Sequence, residues 1–191
     1  MSLLRQICDE SGEPRRDGRP RPSGSAKKLE VEKLMSGKPV ILGVISDTHG
    51  LLRPEAVEAL HGSNRILHAG DIGNPEILEA LAQIAPVTAV RGNVDTSAWA
   101  RALHATEIVE EGGVSIYILH DLGQLDLKPE AAGFRVVVYG HSHQPKIEKK
   151  NRVLYVNPGS AGPRRFHLPV SIGRLMIMEG KVRAELVELK I

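Results

Sequence analysis

Cysteine, aromatic residues and long apolar runs are all scarce in this chain, and each scarcity removes a class of architecture. A single cysteine, Cys8, among 191 residues excludes an internal disulfide, so packing alone must hold the fold. Aromatics make up 3% of the sequence, which leaves Val, Ile, Leu and Ala to build the core. No apolar run reaches the roughly 18 residues that a membrane-spanning helix needs, so no membrane partner is expected. The opening MSLLRQICDE has neither a basic n-region nor an apolar h-region. Secretion is therefore not indicated, and the reducing cytoplasm is the expected compartment.

Charge of either sign is also in small excess. The net charge is +2, but residues 1–38 carry nine Lys/Arg against six Asp/Glu, whereas the rest carries 16 against 17. The basic surplus thus sits in the leading segment, and residues 39–191 offer no electrostatic footprint for a nucleic acid. Within that segment, residues 11–25 (SGEPRRDGRPRPSGS) have no apolar periodicity and too little apolar surface to offset the entropy of ordering. Residues 1–38 are expected to form a disordered basic extension, with a brief helix at residues 29–34 and the first 34 residues dispensable for folding, a functional basic arm being the other reading. Residues 39–191 are expected to form the folded domain.

What the domain does contain is an alternation of strand and helix signals. Val40–Ile45 is a continuous β-branched apolar run, as in a strand buried on both faces. Helices are predicted over residues 53–61 and, with proline in the first turn, 75–84. Further strands are predicted at 65–67, 87–90, 106–109, Val114–Leu119, 135–139, 153–156, Ser171–Met178 and 182–187. Hairpin turns fall at Glu111-Gly112-Gly113 and Glu179-Gly180. The pattern implies an α/β layered domain with mixed sheet, as one sheet or as two face to face.

Five of the predicted strands are followed by side chains suited to metal ions. They are Asp47-Thr48-His49, Gly70-Asp71, Gly92-Asn93-Val94-Asp95, His120, and Gly140-His141-Ser142-His143. Ligand sites in α/β sheets lie beyond the carboxyl ends of strands, and glycines beside the polar residues allow a sharp bend or close approach. Any one motif could be a turn or a cap; five at strand ends point to one site. The donors are nitrogen and oxygen with no thiolate, which suits a divalent transition metal (Mn, Fe, Co, Ni or Zn) over Ca or Mg.

These motifs, in this order, resemble the metal motifs of the calcineurin-like metallophosphoesterase superfamily from about Val40 onward. Asn157-Pro158-Gly159-Ser160 is also similar to its compact bacterial and archaeal phosphodiesterase branch. The resemblance implies a β-sandwich of two mixed sheets flanked by helices. It also implies two metal ions, Mn foremost, one held by Asp47, His49, Asp71 and His143 and the other by Asp71, Asn93, His120 and His141. Asp71 would bridge, and hydroxide held between the ions would attack the phosphorus of a small phosphodiester or phosphomonoester. Asp95 would orient a neighbouring ligand, and Asn93, Arg164 and Arg165 would contact substrate.

Two positions depart from relatives. Val94 stands where the phosphoprotein phosphatase branch has a proton-donating histidine, which favours substrates with good leaving groups. Asp121-Leu122 follows His120 where many relatives continue with Gly and His; Asp121 either takes over as a hydrogen-bonding partner or starts a turn. His68 is a candidate support for Asp71 or a strand-end residue, and His61 sits at a helix end. His167 could supply the missing acid, or lie with the arginines in a solvated loop. The competing function is a scaffold of the same fold that assembles protein partners; self-association is left open.

Overall fold

The computed structural model describes residues 38–191. The extension expected over residues 1–38 lies, but for Lys38, outside the described residues. Among the described residues, ten strands form two five-stranded sheets, accompanied by two α-helices. One sheet runs β10 (Lys181–Glu188), β9 (Ser171–Met178), β1 (Val40–Ile45), β2 (Arg65–His68), β3 (Val87–Ala89). The other runs β4 (Thr106–Glu111), β5 (Val114–Leu119), β6 (Val136–Val138), β8 (Val153–Asn157), β7 (Lys146–Lys150). Both are mixed: β1, β2 and β3 are parallel, as are β5, β6 and β8, while β9, β10, β4 and β7 join antiparallel.

Alternate residues explain the layers, because successive side chains in a strand point to opposite faces. Leu42 and Val44 of β1, Leu67 of β2 and Leu175 of β9 meet Ile116 and Ile118 of β5 and Val136 and Val138 of β6 in one core. The other face of the first sheet presents Ile45, Ile66 and Ile172 to helix α1 (Pro54–Leu60) and helix α2 (Pro75–Ala82) through Leu60, Ile77 and Leu81. The other face of the second sheet, with Tyr117, Leu119 and Tyr139, is covered by Leu122, Leu125 and Leu127. Each fully buried Leu or Ile contributes roughly 1.5–3 kcal/mol. A Cβ at position 43 would press on Leu60 Cδ2 and Ser63 Oγ, so the bare Gly43 backbone lets the Leu60 side chain pack close on β1.

Both helices begin at a proline, and Asn74 caps α2 by accepting from the Ile77 N–H at 3.2 Å. Predicted and observed strands and α-helices differ mainly at their ends, with one strand omitted; the 3-10 helices Ala98–Ala102 and Leu122–Gln124 were also not predicted. Strand β7 is exposed along its whole length, so its sequence KIEKK carries no buried face to betray it. Its backbone pairs with β8, and its lysines blunt the sheet edge.

Candidate metal centre

The strands that carry the ligand-type residues end at one side of the sandwich, three from one sheet and two from the other. Beyond β1 and β2 the backbones stay zipped: Asp47 N–H donates to Gly70 O at 3.0 Å, His49 N–H to Asp71 O at 2.9 Å and Gly50 N–H to Ile72 O at 2.8 Å. Gly140 N–H donates to His120 O at 2.9 Å, tying the loop after β6 to the end of β5. The turns are tight. Asp47, His49, Asp71, His141 and His143 all have left-handed backbone, with φ of 55, 47, 54, 68 and 57°. That conformation costs an ordinary residue roughly 1–2 kcal/mol, so the surrounding structure must hold five such residues in place.

Two groups of donor atoms result. Around His49, Nε2 lies 3.4 Å from His143 Nε2, 4.0 Å from Asp47 Oδ1 and 3.8 Å from Asp71 Oδ2, and His143 Nε2 lies 3.4 Å from Asp47 Oδ1. Around Asn93, Oδ1 lies 3.1 Å from His120 Nε2 and 3.0 Å from His141 Nδ1, and His120 Nε2 lies 3.3 Å from Asp71 Oδ2. Asp71 therefore faces both groups. A donor atom of Asp47 also lies within 4.8 Å of donors of Asp71 and His120.

The residues fit divalent ions. Ligands at about 2.0–2.2 Å in tetrahedral or octahedral arrangement keep neighbouring donors roughly 2.8–3.6 Å apart. Most of the separations above fall in that range. Both carboxylate oxygens of Asp47 and Nδ1 of His143 are buried without a hydrogen-bond partner. An unpaired buried carboxylate is costly and calls for a counter-charge.

Electrostatics carry the same signature. Burial pushes Asp47 up to about 6; the nearby Ser46 hydroxyl and His141 N–H temper this without reaching hydrogen-bond geometry. Burial, with His49 and Arg165 adding repulsion, brings His143 down to about 4, and burial also lowers His49. Burial works to raise Asp71, but hydrogen bonds from His120 and the Val94 N–H (3.0 Å) hold it below the usual range. For His120 burial is outweighed by Asp71 and by the Ala69 carbonyl, 2.8 Å from Nδ1, which raise it. That carbonyl accepts a hydrogen bond from Nδ1–H and leaves Nε2 facing the centre.

His68, a candidate support in the sequence, is one here; the parts played by Thr48, Asn157 and Ser160 were not foreseen. Gly70 N–H donates to His68 Nδ1 (3.2 Å), which assigns the proton to Nε2, 3.0 Å from Thr48 Oγ1. Thr48 in turn donates to Ile72 O at 2.9 Å, so fully buried His68 braces the Asp47 and Asp71 loops in its neutral form. Burial lowers its pKa to about 3. Asn157 donates to Gly140 O (2.7 Å) and Ser142 Oγ (3.0 Å), and Ser160 to Asp47 O (2.9 Å), so the Asn-Pro-Gly-Ser segment holds two ligand loops.

Other expected residues are placed differently. Among the described residues, Asp95 makes no hydrogen bond to a histidine. Its Oδ1 accepts from Ile72 and Gly73 N–H (3.0 and 2.9 Å) and its Oδ2 from Gly92 N–H (2.8 Å), so it clamps backbone on either side of the site. Asp121 caps the turn at 122–124 by accepting from Gly123 N–H at 2.8 Å, and so starts a turn and does not support His120. A cavity of about 250 Å³ opens over the centre, with Val94, Ser142, Arg165, Phe166 and Leu168 on its walls. Arg165 lines it; Arg164 does not.

Comparison with known proteins agrees with this geometry. Residues 40–180 match the calcineurin-like phosphoesterase superfamily domain. A probable metallophosphoesterase of Methanocaldococcus jannaschii is 33% identical over 189 residues, covering 91% of this chain and 95% of that protein. The phosphodiesterase YfcE of Escherichia coli K12 is 30% identical over 68% of this chain and 84% of its own length. In fold, Vacuolar Protein Sorting 29 of Cryptosporidium parvum superposes with a TM-score of 0.64 at 20% identity, over 81% of this chain and all of that one. With its two mixed sheets and converging ligand-type residues, the chain belongs to the calcineurin-like phosphoesterase superfamily.

Proposed function

We propose that this protein hydrolyses a small phosphodiester at a centre of two divalent transition-metal ions, Mn foremost. Asp47, His49, Asp71 and His143 would hold one ion, and Asp71, Asn93, His120 and His141 the other. The observation that carries this is the convergence of seven residues with nitrogen and oxygen donors, among them the buried Asp47 carboxylate, which has no hydrogen-bond partner. A bound pair of ions supplies Lewis acidity and a water acidic enough to be deprotonated near neutral pH.

The chain's own residues do the rest. Ala69 O orients His120, and the Val94 N–H fixes one oxygen of Asp71, so the second faces both donor groups. Arg165 stands at the mouth, where its charge attracts an anionic phosphate. Val94 cannot give a proton to a leaving group, which favours esters of acidic alcohols. A scaffold role shares the fold of the sorting protein, but a pure scaffold has no need for seven intact ligands. The phosphoesterase unit is residues 39–191, and the working compartment is the cytoplasm.

The test uses the purified full-length chain: bound metal by elemental analysis, and turnover of bis(p-nitrophenyl) and p-nitrophenyl phosphate with Mn, Ni, Co or Zn. The expected result is metal-dependent cleavage, faster for the diester, and lost in Asp71→Ala. No turnover with any metal would sink the enzyme reading; faster monoester cleavage would sink the diester preference.

A further inference from the structure

Phe166 is the most exposed of the exposed large apolar residues among the described residues. The sequence has only two phenylalanines; Phe134 is buried, whereas Phe166 is 90% exposed. Its backbone is left-handed, with φ 51°, which a bulky residue without a hydrogen-bonding side chain adopts only at a cost. It lines the cavity over the metal centre beside Arg165. Val94, which follows the ligand-type residue Asn93, lines the same cavity and is 43% exposed. Leu168 completes a set of three apolar side chains on its walls. The floor is of another character: His49, Asp71, Asn93, His141 and His143.

A floor for phosphate under apolar walls is wasted on inorganic phosphate or on an ester of a small polar alcohol. Such a ligand would leave Phe166 and Val94 in water. An aromatic ring next to a cationic side chain at a phosphate site suits a planar group attached to that phosphate. The ring stacks on the phenyl face while the guanidinium attends the anion.

We propose that Phe166, with Val94 facing the same cavity, is the specificity-determining contact for a planar aromatic group esterified to the phosphate, an aryl ring or a nucleobase-bearing group. This rests on the phosphoesterase reading and names its substrate class. Stacking of this kind is lost on alanine substitution with roughly a tenfold fall in affinity.

The experiment measures inhibition of metal-loaded enzyme, with bis(p-nitrophenyl) phosphate as reporter, by four probes. They are adenosine monophosphate, phenyl phosphate, ribose 5-phosphate and inorganic phosphate. In Phe166→Ala, inhibition by adenosine monophosphate should weaken about tenfold while ribose 5-phosphate and phosphate shift less than about twofold. Phe166→Tyr should restore it, and Phe166→Leu only in part. A parallel loss for phenyl phosphate assigns any aryl group; a loss for the nucleotide alone assigns a nucleobase. Equal losses for all four probes, or none for any, overturn the proposal. Bound metal and reporter turnover in the wild type are measured alongside. If they fail, the phosphoesterase reading has failed; if they hold and the probes do not discriminate, only the aromatic contact has.

Discussion

Asp95→Asn replaces one heavy atom and hardly changes volume, yet it removes an acceptor from a place where the backbone has no substitute. The carboxylate takes Ile72 and Gly73 N–H on one oxygen and Gly92 N–H on the other, at 2.8–3.0 Å. An asparagine can keep its oxygen toward one side only. Its amide nitrogen then faces a backbone N–H, donor against donor. A hydrogen bond to a charged group is worth about 1.5–3 kcal/mol, and a buried donor left unpaired costs a similar amount. A loss of about 3 kcal/mol follows, or about 6 to 12 °C in Tm for a domain of this size. The damage is also local, because the released turns carry Asp71 and Asn93. Metal affinity should fall about 10- to 100-fold, as when a group behind a ligand is removed. Thermal melts with and without Mn, together with metal titration, read both effects. A Tm within about 1 °C of wild type, with unchanged metal affinity, would refute the account of Asp95 as the clamp between these loops.

Other consequences follow from the same geometry. His68 is buried neutral with its pKa lowered from 6.5 to about 3, so its contribution is full above pH 6.5 and is lost as pH falls below it. Stability should drop by up to about 1.4 kcal/mol per pH unit on that account, and His68→Gln should flatten the melting profile between pH 6.5 and 4. An unchanged profile contradicts the assignment. In chelator-treated protein, Asp47 acts in the opposite sense: its pKa is raised from 3.8 to about 6, so stability present below 3.8 is lost as pH rises through 6. The difference amounts to about 3 kcal/mol, should vanish in Asp47→Asn and should be offset by added Mn; denaturant titrations at pH 4 and 7 measure it. Gly92→Ala would drive a Cβ into the Asp71 carboxylate and backbone nitrogen, so bound metal should be lost. Gly133→Ala, where the space is open and only φ +85° is unfavourable, should cost about 1–2 kcal/mol and keep the metal. Equal metal content in the two variants would disprove the steric argument.

Much of the site was legible in the sequence because its ingredients are local. Metal binding needs particular side chains, a strand end puts them at one rim, and continuous apolar runs such as Val40–Ile45 mark strands buried on both faces. Tertiary structure decided what depends on partners far along the chain. The left-handed turns at Asp47, His49, Asp71, His141 and His143 persist because neighbouring loops hold them, which no spacing reveals. Asp95 proved to serve backbone groups around Ile72 and Gly92, a bond pattern its neighbours in sequence do not announce. Strand β7 pairs through its backbone while its side chains face water, so periodicity is silent there. The choice of Arg165 over Arg164, and the placing of Phe166 at the mouth, were set by the path of one loop over the centre. Residue type and order determined the chemistry on offer; the convergence of two sheets determined which groups meet, because coordination and hydrogen bonding act over a few ångströms in space and not along the chain.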